Sequence, residues 1–417
     1  MNSRRLRRAV SAGLLAAVCL TAPACQSDSP PKKAGPVTAA GIDLKPDTKG
    51  AGQVPGALVS ASTFPTLDLR LKSAVSLAAR IAYTSTSGIT GERTEVSGSV
   101  FVPNGTPPPG GWPIVVFGHA TSGMQPECGP SGSSTLLGLS PTVTALVKAG
   151  YLVSLPDYQG LGPGTAGHPY ADATTVGYNV IDSARAAHRL VPESADRWLA
   201  VGVSQGGQAT WAANELAARY GTGLTLVGTV SLSPATDLTG LASGAAAGSL
   251  SKEQGAILQL ILAALAKENP SLNLQDYRRG DVAEHWNVLA SCRTEDATAR
   301  AAAIDKITPA DLRPASPQAE ATLQELLAKR SLPKDPTSAP MLVLYGGQDT
   351  LLLPDWTNKA LSAACRLGDV IDIMFQPTKG HADIDVAMSS DWIKDRFDGV
   401  PAPNSCPSFE STQGAGQ

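Results

Sequence analysis

The chain has 417 residues, of which 42% are hydrophobic and 17% charged, with a formal net charge of −3. That much apolar mass excludes a disordered chain and allows one large domain or two ordinary ones. With no basic block beyond its first residues, the chain lacks the electrostatic footprint of nucleic-acid binding.

Arg4, Arg5, Arg7 and Arg8 open the chain, and an apolar run from Ala9 to Leu20 follows. The run is too short for a typical membrane span, and Ala22-Pro23-Ala24 fits small-residue cleavage. Residues 1–24 therefore read as a signal peptide. Cys25 comes next and is a candidate for lipid attachment, which would be the protein's only tie to a membrane. The competing expectation is plain secretion with Cys25 free. Residues 25–55 hold Ser, Pro, Lys and Gly with few large apolar side chains, the composition of a flexible tether. Cys128, Cys292, Cys365 and Cys406 remain, enough for two disulfides in an oxidising compartment.

The first strand expected runs from Glu95 to Val102 and ends at Pro103. A Pro/Gly loop leads to Pro113–Gly118, an apolar run of the kind buried on both faces of a sheet. It ends in His119-Ala120-Thr121. A helix closing at Ala149 precedes a strand from Tyr151 to Pro156, and a helix from Asn179 to Leu190 follows. Trp198–Val203 is the next strand, Gln208–Arg219 a helix, and Leu224–Leu232 another strand. Ala339–Tyr345 and Val370–Phe375 complete the strands, with a last helix over Ala382–Phe397. Strands alternating with helices predict a mostly parallel sheet covered on both faces. Residues 237–338 break the rhythm with helical patterns alone, and an insertion there reads as a cap over the strand ends. The expected organisation is thus a core over 56–236 and 339–406, the cap between them, and a disordered tail over 407–417.

The chemistry is carried by Gly202-Val203-Ser204-Gln205-Gly206, a G-x-S-x-G between strand and helix. Glycines two residues to either side leave room for a sharp turn that lifts the serine hydroxyl out of the sheet. A serine is a poor nucleophile without a base and an acid to orient it. Of His119, His168, His188, His285 and His381, only His381 follows the last strand, where the order Ser, Asp, His requires the base. Asp349, just past the strand ending at Tyr345, is the expected acid. Asp237 is its rival; Asp355 and Asp383 fit surface or capping roles better. The oxyanion needs two backbone donors. Gln205 N–H follows the nucleophile, and Thr121, with Ala120 behind it, is expected to supply the second.

His119-Ala-Thr-Ser-Gly, Cys128-Gly-Pro-Ser131, Pro156-Asp-Tyr-Gln-Gly-Leu-Gly162, His168-Pro-Tyr170 and Gly202-Val-Ser-Gln-Gly-Gly207 occur in that order. Together they resemble the secretory lipase family of α/β-hydrolases over roughly residues 60–406. The resemblance implies an α/β-hydrolase fold with a helical cap, action on carboxylic esters and often acylglycerols, and a triad of Ser204, Asp349 and His381. It also implies two disulfides. Four cysteines allow three pairings, and sequence order favours Cys128–Cys292 and Cys365–Cys406. The family commonly has His-Gly where this chain has His119-Ala120, which bears on which amide donates to the oxyanion.

The expected reaction is acyl transfer through Ser204, then hydrolysis, on a small ester or lipid substrate. No metal or organic cofactor is expected, since the sequence has no HExxH and no phosphate-binding glycine loop. The apolar stretch Ala256–Ala266 either contacts an acyl chain or packs into the cap's own core. Two other readings stand beside ester hydrolysis. One is a serine peptidase of the same fold, which would favour aminoacyl-naphthylamides over esters. The other is an inactive binding lipoprotein, whose Ser204 would not react with a fluorophosphonate.

Overall fold

The computed structural model describes residues 43–44, 54–164 and 167–414. The signal peptide over 1–24, Cys25 with its expected lipid, and most of the tether lie outside the described residues. Among those described, ten strands form one sheet. They are β1 (Asp43–Leu44), β2 (Leu58–Thr63), β3 (Val75–Thr86), β4 (Arg93–Pro103), β5 (Trp112–Gly118), β6 (Leu152–Pro156), β7 (Ser194–Val203), β8 (Thr225–Leu232), β9 (Met341–Gly346) and β10 (Ile371–Gln376). Their order across the sheet is β1-β2-β3-β4-β6-β5-β7-β8-β9-β10. From β6 to β10 every neighbouring pair is parallel. The strands β1 to β4 form an antiparallel wing, joined antiparallel to β6.

The central strands are apolar at consecutive positions because both faces are covered. In β5, Ile114 and Val116 pack on one face with Val180, Ile181, Ala209 and Ala213 of the helices Ala173–Leu190 and Gln205–Tyr220. Val115 and Phe117 pack on the other with Val143, Val147, Trp392 and Ile393 of the helices Ser140–Lys148 and Ala387–Asp398. The alternation is the period of two that a strand imposes.

Four expectations need correction. No strand was expected before Glu95, yet β2 and β3 precede it. β3 contains Ala78, Ala79 and Ala82, residues of low strand propensity, and is held by its long register with β4. Within the expected tether, Asp43 pairs with Ser62 and Leu44 with Ala61, so that part of the segment is an edge strand. The expected disordered tail contains a helix, Cys406–Gly414, whose first residue is tied by a disulfide to Cys365. The last core helix also begins at Ala387, after a loop, rather than at Ala382.

Between β8 and β9 the described residues form six α-helices and no strand, from Gly240–Ala247 to Pro317–Arg330. They have a core of their own, built around Leu258, Ile261, Leu262 and Leu265 of the helix Lys252–Glu268 together with Leu323 and Leu327.

Candidate active site

Ser204 sits between β7 and the helix Gln205–Tyr220, with φ 58° and ψ −114°. Such a backbone is costly for a side-chain-bearing residue. It persists because its surroundings fix both peptide groups. Ser204 N–H donates to the Leu232 carbonyl at 2.9 Å, and Ser204 C=O accepts from Ala235 at 3.2 Å and from Gln208 at 3.0 Å. A Cβ built on Gly206 would lie 2.0 Å from the Gly118 carbonyl oxygen, and one on Gly202 would lie 2.1 Å from that of Gly206. Only glycines allow the turn to pass so close to the end of β5.

The parallel strands deliver three loops to the same edge. Asp349 follows β9 and is buried, at 4% exposure. One carboxylate oxygen accepts from Leu351 N–H at 2.9 Å and Leu352 N–H at 2.8 Å. The other lies 2.7 Å from His381 Nδ1. His381 lies on the loop after β10, and Gly346 admits that loop, since a Cβ there would meet the Lys379 carbonyl at 2.2 Å. Ser233 Oγ donates to the His381 carbonyl at 3.1 Å, one residue beyond the Leu232 that accepts from Ser204. Asp349 and His381 are thus in direct contact, at the edge where Ser204 turns. The Ser204 hydroxyl itself makes no hydrogen bond among the described residues.

The other candidates have different partners. Asp237 is paired with Lys359 at 2.5 Å and accepts from Thr239, so it is committed away from any histidine. Asp383 caps the turn at Gly380 N–H. Asp355 is exposed in the first turn of the helix Pro354–Arg366. His188 bonds Ser194 Oγ at 2.9 Å, and His285 lies in the cap beside Asp281 and Lys306. His119 is buried, with Nδ1 2.7 Å from the Ala120 carbonyl, and burial pulls its pKa down.

In the segment after β5, Thr121 Oγ1 lies 2.7 Å from Tyr170 OH. Asp157, fully buried after β6, accepts from Ser97 Oγ at 2.6 Å and from Ser131 Oγ at 2.5 Å and N–H at 2.8 Å. This clamps the segment after β5 to the end of β6. Cys128 and Cys292 form one disulfide, fastening that segment to the cap; Cys365 and Cys406 form the other.

The model of the secretory lipases matches residues 140–405. The chain belongs to the secretory lipase family. As a secretory lipase it is a hydrolase acting on esters, and its disulfides fit export to an oxidising compartment. No curated protein matches the sequence. Among solved structures, lipase A of Candida antarctica in its closed state is 14% identical, covers 85% of each chain and superposes with a TM-score of 0.67. LipA of Xanthomonas oryzae, a rice cell wall degrading esterase, is 19% identical, covers 83% of this chain and 97% of its own, and has a TM-score of 0.64. At these identities the likeness is one of fold, an α/β-hydrolase.

Residues of the helices between β8 and β9 share a pocket with Ser204. Tyr170, Ala171, Gln205, Gln208, Ala235 and Leu238 line the space beside it, with Ile257 and Ile261 of the cap and Leu351 and Leu352 after the acid. The Ala256–Ala266 stretch packs into the core of the helical insertion. Leu258, Ile261, Leu262 and Leu265 belong to that core, and Ile257 and Ile261 also line the pocket beside Ser204. Only about 20 Å³ of the pocket is open. Gln208, Tyr170 and the Leu351-Leu352 pair were not singled out as pocket residues from sequence. Gln208 lies one helical turn from Ser204, and that spacing was the available signal.

Proposed function

We propose that the chain is a serine hydrolase that cleaves carboxylic esters through an acyl-enzyme on Ser204. The carrying observation is the 2.7 Å contact of His381 Nδ1 with Asp349, at the edge where Ser204 takes its strained turn. Asp349 fixes the imidazole so that Nε2 is left to take the Ser204 proton as the hydroxyl attacks the ester carbonyl. Gln205 N–H and an amide at Thr121 or Ala120 hold the developing oxyanion. His381 then protonates the leaving alcohol, and water attacks the acyl-enzyme by the same route, returning Ser204 and releasing the acid.

The lining supports an acyl chain: Leu238, Ile257, Ile261, Leu351 and Leu352 are apolar. The reading extends to lipid esters, including acylglycerols, and to a protein exported and held at the cell surface through a lipid on Cys25.

Ser204→Ala tests the mechanism. It should lower hydrolysis of p-nitrophenyl butyrate by at least about 10⁴-fold and abolish fluorophosphonate labelling. Undiminished turnover by that variant would end the proposal. Rates on esters of two to eighteen carbons define the acyl preference. Release of a Cys25→Ser variant from the membrane fraction tests the anchor.

A further inference from the structure

We propose that His168 is a positioning residue for the oxyanion hole, acting through the side chain of Gln205. The inference rests on the reading of Gln205 N–H as an oxyanion donor. Gln205 opens the helix after Ser204, and its side chain is buried. Its amide nitrogen lies 3.0 Å from His168 Nε2. The other ring nitrogen, Nδ1, lies 2.8 Å from the Gln159 carbonyl, which can only accept. Nδ1 therefore carries the proton, and Nε2 accepts from Gln205. Burial depresses the imidazole's pKa to about 3, which keeps that acceptor in place at neutral pH.

The same loop holds the other side of the hole. Tyr170, two residues on, bonds Thr121 through its hydroxyl. His168 and Tyr170 also belong to one buried aromatic series. His119 and Tyr158 stack at 4.4 Å, Tyr158 and His168 lie parallel at 6.5 Å, and His168 meets Tyr170 at 5.9 Å. Tyr158 OH donates to the His119 carbonyl at 3.2 Å. All four rings are buried. The side chains of Gln205 and Thr121 are thus fastened to two members of one packed column, on a single short loop. A rigid spacer between two donors fixes the gap into which the oxyanion must fit, and such preorganisation acts on the transition state rather than on the bound ester.

In the full-length protein, His168→Phe keeps a ring in the column and removes the acceptor. It should lower kcat by about 10- to 100-fold and leave KM within about threefold, since losing a whole donor costs about 10²–10³. Affinity for a trifluoromethyl ketone, which adds to Ser204 as a tetrahedral anion, should fall by the same factor as kcat/KM. Affinity for the ether analogue of the substrate, which has no carbonyl, should not change. His168→Gln, which restores an acceptor, should recover most of the loss.

Equal loss of ketone and ether affinity would reduce His168 to a packing role and overturn the inference. So would a His168→Phe enzyme as active as the parent. Gln205→Leu leaves His168 in place and should show the same split, so the inference stays testable if His168→Phe does not fold. Combining Gln205→Leu with His168→Phe should cost little more than either alone. Fluorophosphonate labelling of Ser204 in the variants keeps the two proposals apart: labelled protein with unchanged ketone affinity sinks this inference and leaves the serine mechanism standing.

Discussion

Ser204 at φ 58° takes a sharp turn between strand and helix, and the glycines beside it leave the room the turn needs. Gly206→Ala would drive a methyl to 2.0 Å from the Gly118 carbonyl, so the end of β5 or the elbow must shift. We expect a stability loss on the order of 3 kcal/mol, read from the urea midpoint, together with lost activity. Asp349→Asn tests a different link. The amide keeps the side-chain shape but no longer selects the tautomer that leaves His381 Nε2 free. It should lower kcat by about 10⁴-fold while thermal unfolding changes little. The contact of Asp349 with His381 was legible because chain order places both residues just past neighbouring strands. The role of His168 was not legible, because a buried loop histidine and an exposed one look alike in sequence.

At the scale of elements, the cap is not a loose appendage. Arg330, at the end of the helix Pro317–Arg330, is buried and donates to the Tyr170 carbonyl at 2.9 Å while pairing with Glu268. Gln208 donates to the carbonyls of both Ala171 and Arg330 at 3.1 Å. Gln254, inside the capping box of the helix Lys252–Glu268, reaches the Leu351 carbonyl at 3.1 Å. The Cys128–Cys292 disulfide closes a separation of 164 residues and adds a covalent tie between the cap and the segment after β5. Replacing both cysteines by serine should cost about 2–5 kcal/mol, measured as a lower melting temperature. The parallel strands were readable as short apolar runs. β3 was not, because its alanines carry little strand preference and its pairing with β4 comes from tertiary contact.

For the whole molecule, buried carboxyls set how stability follows pH. Glu215 is 4% exposed; one oxygen accepts from Lys334 and Asp335 N–H, and burial raises its pKa to about 7. A folded pKa above the unfolded one means that the native state holds the extra proton. That contribution is complete below the unfolded value and is lost as pH rises through about 7. The buried His168 works in the opposite sense, but only below its unfolded value of about 6.5. Between about pH 6.5 and 8 the urea midpoint should therefore fall, and Glu215→Gln should flatten part of that slope. An unchanged slope in the variant would show that other groups govern this range.

The sequence by itself determined the class of the sheet, the elbow and the chain order of the three side chains proposed to react, because each leaves a local pattern: an apolar run, a glycine spacing, a residue just past a strand. It also offered the four cysteines, and the pairing that their order favours, Cys128–Cys292 and Cys365–Cys406, is the one the structure holds. Only the tertiary structure decided that Asp349, and not Asp237, meets His381, since that choice lies in contacts between segments far apart in the chain. The antiparallel wing, the helix after Cys406 and the join of His168 to Gln205 belong to the same class. Each exists because folding brought together surfaces whose residues, taken locally, favour nothing in particular.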